Sequence, residues 1–172
     1  MRASVTKPRI TSVSVEHEND HDPDTSYIGE WTDTPEEWAI DRGSGKYIAA
    51  LPDDYELPSK GREYRCFRPY AGGEKPGTAT YQKYGKRDWG RMEALARGMW
   101  GYIGVVARAD IVVNGVTQTL SSGGLWGVES DSGTEYLAEI GRDELAALRR
   151  VLQGLGFSSQ AITAAFNRQK GG

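Results

Sequence analysis

His17 and His21 are the chain's two histidines, and a carboxylate stands at every second position around them: Glu16, Glu18, Asp20, Asp22 and Asp24. Two chemistries use such patterns. His17-Glu18-Asn19-Asp20-His21 spells H-E-x-x-H, in which a helix sets two imidazoles one turn apart on zinc and the Glu activates the metal-bound water. Asp20-x-Asp22-x-Asp24 copies the opening of a calcium-binding loop. Neither pattern is complete. Asn19 and Asp20 are poor helix formers, and Pro23 pushes Asp22 away from helical geometry. With no third histidine, a metal-dependent hydrolase built on His17 and His21 would need a distant Glu as its remaining ligand. For calcium, Thr25 stands where the loop needs Gly, and Trp31 where it needs a bidentate Glu. An irregular oxygen-rich cation site stays open. The simpler expectation is a solvated acidic turn that meets a basic partner, with no cofactor and no metal assigned.

The flanking elements must position this turn. Arg9 to Glu16 reads as a strand with Thr11, Val13 and Val15 on one face, and polar residues 17–26 as a turn or exposed edge. Ser26 to Trp31 reads as a short strand. Asp33-Thr34-Pro35-Glu36-Glu37-Trp38 starts a helix, with Thr34 as cap, Pro35 at the first position and Glu37 completing Thr-x-x-Glu. Residues 41–60 read mainly as loop with a short strand at Tyr47 to Leu51; Glu63 to Arg68 alternates as a strand, and 69–78 is loop. Thr80 to Met99 fits a helix, with Tyr84, Met92, Leu95 and Met99 near helical spacing and Gly101 beyond its end. The clearest signal follows: Tyr102 to Val113 is β-prone, Asn114-Gly115 is a two-residue turn, and Val116 to Leu120 returns. Ser121 to Gly124 predicts a bulge or bend before a strand at Leu125 to Glu129, and Tyr136 to Ile140 predicts another strand. Helices follow at Arg142 to Gln153, stopping at Gly154, and at Ser159 to Arg168; the first carries Leu145, Leu148 and Leu152 on one face. The expectation is one α+β domain over 1–172: a mostly antiparallel sheet around the central hairpin 102–120, with two or three helices packed on one face.

Composition narrows the function classes. At 172 residues the chain can bury roughly 70% of its unfolded surface. Five Trp, nine Tyr and three Phe offset a low apolar fraction of 38%. Cys66 is the lone cysteine, so no internal disulfide forms and a reducing, cytoplasmic setting is expected. Met1 to Pro8 carries no apolar run, so neither a classical signal nor a membrane span is expected. Charge is segregated. Residues 16–57 hold 13 acids against 2 bases, a net of −11, whereas residues 60–100 hold 10 bases against 4 acids, a net of +6. Either the two segments neutralise each other, or they form faces for different partners.

Other motifs are weaker. Gly43-Ser44-Gly45-Lys46 is similar to a phosphate loop, but the upstream Gly is missing and Tyr47 replaces Ser or Thr, so a turn is the simpler reading. No Gly-x-Ser-x-Gly exists to seat a serine nucleophile. Tyr81 to Arg91 interleaves aromatics with Lys83, Lys86, Arg87 and Arg91, as single-strand nucleic-acid binders do. An overall pI near 5.5 argues against that use. Ser121 to Ser132 surrounds Trp126 with glycines, which either presents the indole to a ligand or lets the backbone approach it closely.

Trp100-Gly101-Tyr102-Ile103-Gly104, Ser121-Ser122-Gly123-Gly124-Leu125-Trp126-Gly127-Val128-Glu129-Ser130-Asp131-Ser132 and the Leu145/Leu148/Leu152 helix together resemble small uncharacterised proteins encoded in phage and other mobile-element genomes. Asp88-Trp89-Gly90-Arg91-Met92-Glu93 and Arg9-Ile10-Thr11-Ser12-Val13 are similar too. That resemblance carries no catalytic residue. It implies an accessory gene expressed in a bacterial cytoplasm, whose product acts by binding a host protein, such as a defence component. The expected function is therefore non-enzymatic binding of a basic host surface through Asp20, Asp22, Asp24, Glu36 and Glu37, with Trp126 as a further contact.

Overall fold

Asn114 (φ +52) and Gly115 (φ +83) make the tight turn that the sequence places between two β-prone runs; a primed turn of this kind needs positive φ at both positions. The longer of those runs is the axis of the fold. A computed structural model describes residues 7–32, 40–41, 47–48, 63–64 and 66–169. Along the chain these form β1 (Arg9–Asn19), β2 (Gly29–Thr32), β3 (Ile40–Asp41), β4 (Tyr47–Ile48), β5 (Glu63–Tyr64), β6 (Cys66–Pro69), a 3-10 turn (Ala71–Gly73), α1 (Ala79–Ala96), β7 (Tyr102–Val113), β8 (Val116–Ser121), β9 (Leu125–Glu129), α2 (Thr134–Gly154) and α3 (Ser159–Gln169). The fold is α+β, as the sequence predicts. It divides into two compact units, residues 1–20 with 102–172 and residues 21–101, so the second is inserted between two strands of the first.

In the first unit β7 is central and antiparallel to all its neighbours. β1 pairs along one edge, from Arg9↔Val112 to Asn19↔Ile103, while β8 and then β9 pair along the other. Alternate β7 residues face the helices: Ala107, Ala109 and Ile111 meet Leu148, Leu152, Ile162, Ala165 and Phe166, and Val105 clusters with Val128 and Ile140. Leu148, Leu152, Ile162 and Val105 are fully buried, and each such side chain contributes about 1.5–3 kcal/mol of transfer free energy. Three expectations need correction. The register of β1 slips between Ile10 and Ser12, so Thr11 is a bulge residue, exposed, with its hydroxyl donating to the Asp110 carbonyl at 3.1 Å. Ile10 takes the core position instead. Residues 136–140, read as a strand, open α2: Leu137, Ile140, Leu145, Leu148 and Leu152 form one continuous helical stripe, which outweighs the local β-propensity of Tyr136 and Ile140. That helix also runs through Gly154, and the left-handed residue that ends it is Gly156 (φ +86).

Among the described residues, the second unit has short strands. β6 lies between β2 and β3, β4 pairs with β5, and α1 packs on β6. Thr78 caps α1, accepting from the Tyr81 N–H at 3.1 Å. The helix ends at Ala96, with left-handed Gly98 (φ +67) just after its cap rather than near Gly101, so Met99 lies beyond it and is 68% exposed. Tyr81, Asp88, Met92 and Leu95 form its buried face. Asp88 accepts from the N–H of buried Ala71 at 2.8 Å. Ala71 sits at φ +52, a conformation that costs a non-glycine residue about 1–2 kcal/mol, so the buried carboxylate holds the chain in a strained turn.

Candidate functional site

The strand β1 continues past Glu16 to Asn19, so His17, Glu18 and Asn19 are extended rather than part of a turn. In a strand, neighbours point to opposite faces. His17 borders a groove against α2 with Val15, Leu137 and Gly141, while Glu16 and Glu18 lie on the other face with Arg108 of β7. His21 stands on a bend after the strand. The one-turn spacing that H-E-x-x-H needs is therefore absent, and no cluster of three or more His, Cys, Asp or Glu among the described residues could hold a metal ion.

Much of the acidity at this end is satisfied inside the sheet. The Arg108 Nε donates to Glu18 at 3.0 Å and lies 3.1 Å from Glu16, and its Nη2 also bonds Glu18. The hydrogen bond to Glu18, then its charge, raises the guanidinium pKa further above its ordinary value. Asp110 accepts from the hydroxyls of Thr119 and Ser12, each at 2.7 Å, and these bonds hold its carboxyl below the ordinary 3.8. Sequence reasoning missed Arg108 and Asp110. Two charges inside an otherwise apolar strand were the available signal.

Asp20 belongs to the same sheet. Its N–H donates to the Tyr102 carbonyl at 3.0 Å, and its carboxylate accepts from the Gly127 N–H at 2.9 Å. Gly127 (φ +73) and Gly124 (φ +76) are the turning points of the Gly-Gly-Leu-Trp-Gly segment, and Glu144 of α2 accepts from the Gly124 N–H at 3.0 Å. Between β8 and β9, buried Ser122 exchanges hydrogen bonds with Ala107, donating from its N–H at 2.8 Å and accepting on its hydroxyl at 2.9 Å. Trp126 lies flat over Gly104: a Cβ there would stand 2.4 Å from the ring. The indole thus covers a strand glycine, and it remains 45% exposed with its N–H donating to the Gly123 carbonyl at 3.3 Å. A lone glycine within a β-prone run was the signal for this contact.

Asp24 sits differently. It lines an open groove of about 500 Å³ in the second unit, with Pro23, Ser26, Glu30, Arg68 and Tyr70. The Ser26 side chain and the Ser26 N–H, at 2.9 Å, hydrogen-bond its carboxylate and hold its pKa below 3.8. Glu30 pairs with Arg68 at 2.5 Å across the β2–β6 ladder, and Tyr70 is 55% exposed at the groove. Asp22 is exposed on the bend that precedes it. Glu36 and Glu37, the helix start at 33–38 and the Gly43–Lys46 turn lie outside the described residues.

On α1, Lys83 and Lys86 are exposed, Tyr81 is buried, and Tyr84 and Trp89 are half-buried. Tyr81 is 3% exposed, and burial raises its hydroxyl pKa above 10.0. Arg91 lies 3.5 Å over the ring of Trp100, whose indole donates to the Arg91 carbonyl at 3.0 Å; Arg87 stands 5.1 Å from Tyr84. Tyr81 and Trp100 therefore have no open face on which nucleic-acid bases could stack. No protein family, curated protein or solved structure matches the chain. No helix among the described residues is long and apolar enough to cross a membrane.

Proposed function

We propose that this chain is a non-enzymatic binding protein whose acidic segment captures a basic segment of a partner protein at the Asp24 groove. One observation carries the reading: Asp24, held ionised by Ser26, opens into a groove beside exposed Tyr70 and the Glu30–Arg68 pair. A Lys or Arg entering there meets a fixed carboxylate and an aromatic face together, which suits both ion pairing and cation–π contact. Asp22 adds steering charge next to it. Asp20, already engaged with Gly127, serves the fold instead. A phage or mobile-element origin, a bacterial host protein as partner and a cytoplasmic setting belong to this proposal and rest on the sequence resemblance.

The test is affinity capture from a bacterial lysate with the wild-type chain and with the D22N/D24N double variant. A basic protein should be retained by the wild type, released as ionic strength rises, and lost from the variant. Retention of the same proteins by both would sink the groove as the binding site.

A further inference from the structure

The first unit's sheet has β1 at one edge and β8 with β9 at the other. β8 and β9 close one side of β7, whereas β1 has no partner strand on its outer edge among the described residues. Such an edge offers a row of N–H and C=O groups to an incoming strand. The first half of β1 is protected. Thr11 bulges out of register, and α3 lies against this half with Arg168 donating to the Ile10 carbonyl at 3.1 Å. From Ser12 to Asn19 the register is continuous, and Glu16, His17 and Asn19 are exposed. Beside this half lies a mainly apolar groove of about 390 Å³ between β1 and α2, lined by Val15, Leu137, Ala138, Gly141 and Leu145 with His17, Thr134 and Arg142. The opposite face of the same strand is acidic: Glu16 and Glu18 share the single guanidinium of Arg108.

We propose that the Ser14–Asn19 edge takes up an extended segment of a partner protein as an added strand, in which apolar and basic side chains alternate. Strand geometry dictates the alternation. Every second side chain of an added strand falls on the groove side, over Val15 and Leu137, and the others fall on the side of Glu16 and Glu18. Main-chain bonds along β1 supply affinity, and the two unlike faces supply specificity. Charge complementarity selects Lys or Arg for the outer positions, because two carboxylates there share one guanidinium. This surface belongs to a different unit from the Asp24 groove, and the proposal stands without it.

Two synthetic peptides of equal composition test it on the full chain: one alternating valine and lysine, one with the valines and lysines in separate blocks. Fluorescence anisotropy should show the alternating peptide binding at least about tenfold more tightly. N-methylation of one alternate set of its amides should abolish binding, while methylation of the other set leaves it, since only every second N–H faces the edge. A138Q, which sets a bulky neutral group on an exposed groove position, should remove the preference with no change in unfolding midpoint. Equal binding of the two peptides, equal effects of the two methylation patterns, or an unaffected A138Q variant overturns the proposal. So does concentration-dependent dimerisation that A138Q abolishes, because it assigns the edge to a second copy.

Discussion

The two compact units of this chain reach order by different means. The unit built on β7 has long strands, with β1 in continuous register from Ser12 to Asn19, and an apolar layer between sheet and helices. Among its described residues, the inserted unit has strands of two to four residues and is marked by particular contacts: Asp88 on the Ala71 N–H, Arg91 over Trp100, and Gly29 against Arg68. A core spread over many similar side chains is written in the sequence as periodicity. Single contacts of this kind leave no periodic trace.

Breaking each core should show the difference. L148A removes a fully buried side chain from the first unit and should cost about 2–5 kcal/mol. D88A leaves the buried Ala71 N–H without its acceptor and should cost about 1–3 kcal/mol. Urea unfolding gives the totals, and amide exchange locates them: protection should fall along β7, α2 and α3 for L148A, and along β6 and α1 for D88A. A larger loss for D88A would reverse the comparison.

A pair of glycine substitutions sharpens it. Gly29 has φ +139, and a Cβ there would lie 2.3 Å from the Arg68 carbonyl oxygen and 2.7 Å from the Phe67 ring. G29A should therefore cost about 3 kcal/mol or more by thermal unfolding. Gly115 has positive φ but nothing within 4 Å of an added Cβ, so G115A carries backbone strain alone, about 1–2 kcal/mol. Similar costs at both sites would mean that steric crowding does not define the second unit.

The smallest effects concern pH, and they have opposite signs. The folded pKa of Asp110 lies below its ordinary 3.8, so its contribution is present above 3.8 and is lost as pH falls through the folded value. The folded pKa of Tyr81 lies above its ordinary 10.0, so its contribution is present below 10.0 and is lost as pH rises through the folded value. D110N should flatten the acid limb of stability in the first unit, and Y81F the alkaline limb in the second. Exchange-detected stability measured across pH for each variant checks both.

The hairpin at Asn114-Gly115 and the leucine stripe of α2 were legible because each repeats at the period of its element. The bulge at Thr11 was not, since one extra residue shifts the period and only pairing with β7 shows where. The same limit applied to the candidate sites. A carboxylate at every second position marked residues 16–24 as one acidic stretch. Its members separate in space: Glu16 and Glu18 onto Arg108, Asp20 onto Gly127, and Asp24 into a groove.

Composition and local pattern alone determined the α+β class, the central hairpin, the C-terminal helices and the segregation of charge, because these depend on neighbours a few residues apart. Tertiary structure decided which carboxylates are engaged by the fold and which face a groove. Those outcomes depend on partners distant in sequence, such as Arg108 for Glu18 and Gly127 for Asp20, and a charge acquires its role only when the fold supplies its counter-group.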